Sequence, residues 1–137
     1  MPKRARDIAL VFVGGAAGTG LRYLLTSAFP TLGALPVTFA INVSGALLLG
    51  LLTSLLNVRA SKRATDLLTL VLGTGFLGGY TTYGMFAVDA DGLLIADHVT
   101  ASFTYGRATV ALGFASAAAG VGIGKLLGRR RSAEVAR

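Results

Sequence analysis

Four long apolar runs, joined by three short connections, decide what this chain can fold into. They lie approximately at residues 8–29, 37–58, 67–88 and 99–127. About 20 residues at a rise of about 1.5 Å each cross a hydrocarbon core of roughly 30 Å, and every run reaches that length. With 53% hydrophobic and 14% charged residues in 137, the chain cannot clothe a small soluble domain in polar surface. The expected architecture is all-α: a single integral membrane domain over residues 1–137 with four transmembrane helices. The first run exceeds an ordinary signal-peptide core and holds Gly14, Gly15, Gly18, Gly20 and Arg22, so it is expected to stay as a mature helix.

The connections differ in chemistry. Residues 30–36 make a tight, uncharged turn, 59–66 are polar and basic, and 89–98 are acidic, so Asp89, Asp91 and Asp97 are expected in a loop and no carboxylate inside a run. Basic residues divide unevenly by side. Lys3, Arg4, Arg6, Arg59, Lys62, Arg63, Lys125, Arg129, Arg130, Arg131 and Arg137 share one side, eleven of the thirteen, and Arg22 and Arg107 fall toward the other. The positive-inside rule then places both termini and the second connection in the cytoplasm, giving a multi-pass protein of the cell inner or plasma membrane. The net charge of +7 lies at segment ends and tails, without a basic face interleaved with aromatics, so nucleic acid is not expected as a partner. The absence of Cys removes disulfides and thiolate chemistry. His98 is the one histidine, and no nucleophile–base pair or metal-ligand spacing is present, so the chain is not expected to be an enzyme. Four helices with no visible internal repeat make a small bundle that gains from dimerisation.

The third run is unusual. Gly73 through Phe86 carries glycine, threonine and aromatics where leucine would be ordinary. A helix interrupted there leaves carbonyls unpaired, which lipid tolerates mainly where the segment lines a cavity or path. Freed carbonyls also suit a hard cation such as Na⁺. Phe76, Tyr80, Tyr83 and Phe86 follow at spacings that would share one face of a continuous helix; core packing and anion contact through positive ring edges are both open. Asn42 in the second run is either an interhelical hydrogen-bonding group or a pore-lining donor. Arg22 and Arg107 either snorkel to headgroups or attract an anion. Glycines at 14 and 18, and at 120, 124 and 128, have the four-residue spacing of close helix packing.

These residues resemble the CrcB/Fluc family of small bacterial fluoride channels over nearly the whole chain. Three motifs carry the likeness: Gly14-Gly15-x-x-Gly18-x-x-x-Arg22-Tyr23, Asn42-x-x-Gly45 followed by Gly50, and the stretch Gly75 through Phe86. The resemblance implies an antiparallel dimer with two fluoride pores and a structural Na⁺, not transported, at its centre. Backbone carbonyls of Gly78 and Thr81 would hold that Na⁺. Asn42 would donate to fluoride, Tyr83 and Phe86 would take the places of the two pore phenylalanines, Tyr105 and Thr109 would continue a polar track, and Arg22 matches the family's helix-one arginine. The implied function is passive fluoride export that lowers toxicity in the cytoplasm.

Two departures from the family pattern matter. Where the family usually has Thr-Thr-Phe-Ser-Thr-Phe, this chain has Thr81-Thr82-Tyr83-Gly84-Met85-Phe86, which removes two hydroxyls and adds a phenol; whether that phenol holds fluoride too tightly is open. An antiparallel homodimer also needs a chain that inserts both ways, and a bias of eleven to two opposes that. Pairing with a homologous second subunit of opposite orientation, in contact with membrane lipid, is therefore expected. The rival readings are a non-conducting assembly subunit of a heterodimeric channel and a proton-coupled transporter, the latter wanting an intramembrane carboxylate.

Overall fold

The computed structural model describes residues 3–59 and 61–135, and the side chains of 3–57 and 61–128. Of the basic residues used for orientation, Arg137 lies outside the described residues, and the side chains of Arg59, Arg129, Arg130 and Arg131 lie outside the described side chains.

The secondary structure of the described residues is all helical, with no strand. Helix α1 spans Lys3–Ala28 and α2 spans Ala34–Arg59, joined by a 3-10 turn at Pro30–Leu32. Gly33 leaves that turn at a φ of 77°, a left-handed conformation that glycine adopts without a Cβ penalty. Pro36 sits in the first turn of α2, where its missing N–H costs no helical bond. Helix α3 is composite: an α-helical turn at Lys62–Leu68, a wider π stretch at Thr69–Leu77 and a last α turn at Gly78–Tyr80. Thr81 and Thr82 are extended, and α4 then runs Tyr83–Ile95. Helix α5, Val99–Val135, completes the chain. Among the described residues, three helices are long and apolar enough to cross a membrane: Lys3–Ala28, Ala34–Asn57 and Val99–Gly128. The remaining span is the interrupted pair α3 and α4, as the glycine and threonine run predicts.

Close backbone contact explains the packing. Helix α1 lies on α3 and α2 lies on α5. A Cβ on Gly18 would collide with the Phe76 carbonyl, and one on Gly120 with the Leu47 carbonyl, so small residues let each pair approach through main-chain atoms. The π stretch lies along that α1 contact, where Gly14 meets the backbone of Val71, Gly75 and Phe76. A compact buried cluster of Val37, Ile41, Leu77 and Tyr80 ties α2 to the end of α3. Many large apolar side chains stay outside it, among them Phe12 at 75% and Phe114 at 78% exposure, which suits lipid or a partner chain better than water.

One expectation is corrected. Residues 89–98 are not a loop: α4 continues through Asp89 and Asp91 to Ile95, and Asp89 is buried. Its carboxylate accepts from the Tyr105 hydroxyl at 3.4 Å, and a partner of that kind lets an acidic residue sit inside a helical hairpin. The true turn is short. The Asp97 N–H bonds to Leu94 O and the His98 N–H to Leu93 O, with Asp97 at a φ of 61°. That is a Schellman ending, with a short polar residue in the left-handed position usually held by glycine.

Candidate ion pathway and cation site

Redirected hydrogen bonds at Thr81 and Thr82 create the site. In an unbroken helix the Thr82 N–H would donate to the Gly78 carbonyl four residues back. It donates instead to Asn42 Oδ1 at 2.9 Å, while Asn42 Nδ2 donates to the Thr82 carbonyl at 3.0 Å. One amide on α2 thus clasps both backbone groups of a single residue. The Met85 N–H, which would serve the Thr81 carbonyl, bonds to Thr82 Oγ1 at 3.1 Å, making Thr82 the N-cap of α4.

The carbonyls of Gly78 and Thr81 are therefore released from their regular helical donors. Arg22 Nη1 lies 3.5 Å from the Thr81 oxygen, and the Thr19 hydroxyl lies 3.4 Å from the Gly79 oxygen. Arg22 is thus turned to the interruption instead of extending to headgroups. Arg107, exposed, sets its guanidinium 5.9 Å over the Phe103 ring, a cation–π contact at the surface. Among the described residues no group of three or more His, Cys, Asp or Glu could hold a metal, and the break presents main-chain oxygens. They fit a hard cation in kind.

Two grooves meet at Asn42 and Thr81. The first, about 320 Å³, is lined by Asn42, Thr81, Thr82, Tyr83, Phe86, Thr109, Val110, Gly113 and Phe114. The second, about 300 Å³, is lined by Asn42, Gly45, Gly73, Leu77, Gly78 and Thr81 among others. Four of the five residues expected along a pore, Asn42, Tyr83, Phe86 and Thr109, share the first groove. Tyr105, the fifth, stacks on Phe86 with ring centroids 5.4 Å apart. Gly78 and Thr81, the expected cation ligands, share the second.

The break also divides the aromatics. Phe76 and Tyr80 stack at 6.1 Å, and the Tyr80 hydroxyl meets Ser44 Oγ at 2.9 Å, so this pair belongs to the core. Tyr83 and Phe86 lie 6.0 Å apart at 44°, and Tyr83 is 80% exposed. Core packing thus describes the first pair and groove lining the second. The Thr109 hydroxyl donates to the Tyr105 carbonyl at 2.8 Å, which occupies its only proton, whereas Asn42 Nδ2 keeps a second proton beyond its bond to Thr82.

Sequence reasoning put Asp89 in a loop and did not foresee the capping role of Thr82 or the hydrogen bond of Ser44. For Asp89 the signal was its place three residues after Phe86, which puts it on the same helix face. For Thr82 it was a hydroxyl at the start of a helical run, the ordinary N-cap pattern. Ser44 and its partner Tyr80 are thirty-six residues apart, and no local signal links them.

Residues 9–121 match the family model described as CrcB-like protein, Camphor Resistance (CrcB). The chain belongs to the CrcB-like family. The match encloses the break, both grooves and every candidate site residue. Within the CrcB-like relatives, a Leifsonia xyli subsp. xyli protein named Fluoride-specific ion channel FluC 2 is 48% identical over 129 residues, covering 92% of this chain and 88% of the relative. A Bacillus licheniformis protein of the same name is 41% identical over 125 residues, 88% of each chain. A third of that name, from Rhodococcus jostii, is 40% identical over 111 residues, covering 80% of this chain and 91% of its own.

Proposed function

We propose that this CrcB-like protein is a fluoride-specific channel that lets fluoride leave the cytoplasm down its electrochemical gradient. The observation that carries the reading is the Asn42 clasp on Thr82: it fixes an amide donor and the Tyr83–Phe86 pair on one groove, in a chain whose relatives are named fluoride-specific channels. Fluoride holds its water tightly. A path for it must replace that water with donors and positive ring edges while keeping every site weak enough to leave. The second Nδ2 proton of Asn42 and the edges of Tyr83 and Phe86 supply such contacts, and the stack of Tyr105 on Phe86 holds that ring in place.

The proposed assembly is an antiparallel dimer with a homologous subunit of opposite orientation, this chain keeping both termini in the cytoplasm of a cell membrane. The support is the charge bias of eleven to two and the apolar surface left open on α1, α4 and α5. A structural Na⁺ at the two-fold axis would take the Gly78 and Thr81 carbonyls of each subunit. It would offset the repulsion between partially negative main-chain oxygens brought together across the interface. Arg22, near the Thr81 oxygen, adds fixed positive charge on the same side of the break.

The test is fluoride efflux from liposomes, read with a fluoride-selective electrode, for this chain alone and with a homologous partner. Release by the pair supports the reading, and release by neither overturns it. Tags on the termini report the orientation: a functional population with termini on both sides would remove the need for a partner.

A further inference from the structure

A second built feature lies at the far end of the bundle, away from the grooves. The N-terminal turns of α1 and the start of α3 flank an open cleft of about 920 Å³ whose lining includes Lys3, Arg6, Lys62 and Arg63 together with Asp7 and Asp66, an excess of two positive charges. Arg6 is already paired, its Nη2 lying 3.0 Å from Asp7 Oδ1. Lys3, Lys62 and Arg63 have no such ion pair among the described residues, so they present charge to whatever enters. Leu67 and Leu70 line the same cleft, and on α1 the next turns bear Ile8 at 70% exposure and Phe12 at 75%.

Cations and leucines lining one cleft, with exposed apolar side chains on the adjoining turns of α1, match an amphiphile with an anionic head. The volume falls in the range of small-molecule sites, about 300–1,000 Å³. A basic pocket between membrane helices is the known physical setting for a lipid phosphate. We propose that this cleft binds the headgroup of an anionic phospholipid, with the phosphate between Lys3 on α1 and Lys62 and Arg63 on α3 and an acyl chain along Leu67 and Leu70. The bound lipid screens cations that would otherwise repel across the seam between the two helices. This inference is independent of which ion the protein conducts.

The experiment is native mass spectrometry of the full chain in detergent, titrated with phosphatidylglycerol or phosphatidylcholine. The expected result is a retained phosphatidylglycerol adduct and no comparable phosphatidylcholine adduct. Each surface cation contributes about fivefold to such attraction, so Lys62→Gln with Arg63→Gln is expected to weaken phosphatidylglycerol binding roughly thirtyfold. Lys3→Gln, on the opposite wall, gives about fivefold by itself. Lys125→Gln, an exposed cation outside the cleft, leaves binding unchanged. Melting temperature measured on each variant without added lipid separates lost binding from lost folding. Equal retention of both lipids, full retention by the double variant, or an equal effect of Lys125→Gln overturns the proposal. Displacement of the lipid by excess inorganic phosphate assigns the cleft to a soluble anion and overturns it as well.

Discussion

Asn42→Asp isolates the donor role because it changes the clasp by the smallest possible amount. The aspartate keeps an oxygen for the Thr82 N–H, now 2.9 Å from Asn42 Oδ1. It loses the Nδ2 donor to the Thr82 carbonyl at 3.0 Å and sets two acceptors against each other. Hydrogen bonds between membrane helices average about 0.6 kcal/mol and an acidic side chain within a membrane helix costs about 2.5–3.5 kcal/mol, so the stability cost is about 3–4 kcal/mol and is measured beside the flux. The effect on an anion in the groove is separate. A carboxylate about 4 Å from fluoride, at the effective dielectric of about 20 found near protein surfaces, repels it by about 4 kcal/mol. That predicts a fall in fluoride flux of a hundredfold or more, with Asn42→Ala falling between the two because it removes the donor without adding charge. Electrode-monitored efflux from liposomes measures the flux, and unfolding in mild detergent measures the stability. Full flux in a folded Asn42→Asp protein refutes the assignment of Asn42 to the ion path.

Other outcomes test other parts of the account. Thr82→Ala removes the hydroxyl that accepts from the Met85 N–H and is expected to lower stability by about 1 kcal/mol, with faster amide exchange at the start of α4 as the readout. Gly18→Val drives a side chain into the Phe76 carbonyl and is expected to cost about 1–3 kcal/mol in detergent unfolding, whereas Gly20→Val, with nothing within 4 Å of its Cβ position, is expected to be neutral. Replacing Na⁺ by N-methyl-D-glucamine during purification is expected to lower the melting temperature of the assembled protein, because the Gly78 and Thr81 oxygens lose their cation; an unchanged melting curve contradicts the sodium assignment.

The sequence made the broad plan legible because lipid imposes strict demands. Runs of apolar residues locate the helices, and Gly78-Gly79 with Thr81-Thr82 marks an interruption, since a backbone bond broken in lipid needs residues that allow another partner. The π stretch at Thr69–Leu77 was not legible. It arises alongside tertiary contact between α3 and the backbone at Gly14 and Gly18, and local propensity carries no record of that contact. Asp89 was misplaced for a related reason: a carboxylate after an apolar run signals a boundary by itself, and only the Tyr105 hydroxyl sixteen residues away makes its burial tolerable. Asn42 was recognised as a polar residue that must find partners, but the partner, one backbone unit forty residues on, is visible only in three dimensions. The aromatic series was legible as a pattern and ambiguous as a surface, because the break rotates Tyr83 and Phe86 away from Phe76 and Tyr80.

The most direct test of the central claim is the reversal potential of currents through the assembled protein in a planar bilayer, with a tenfold fluoride gradient and equal chloride on both sides. The account predicts a reversal potential close to the fluoride equilibrium value, about 59 mV in magnitude for a single charge. A reversal potential at zero, with chloride carrying the current, would contradict it.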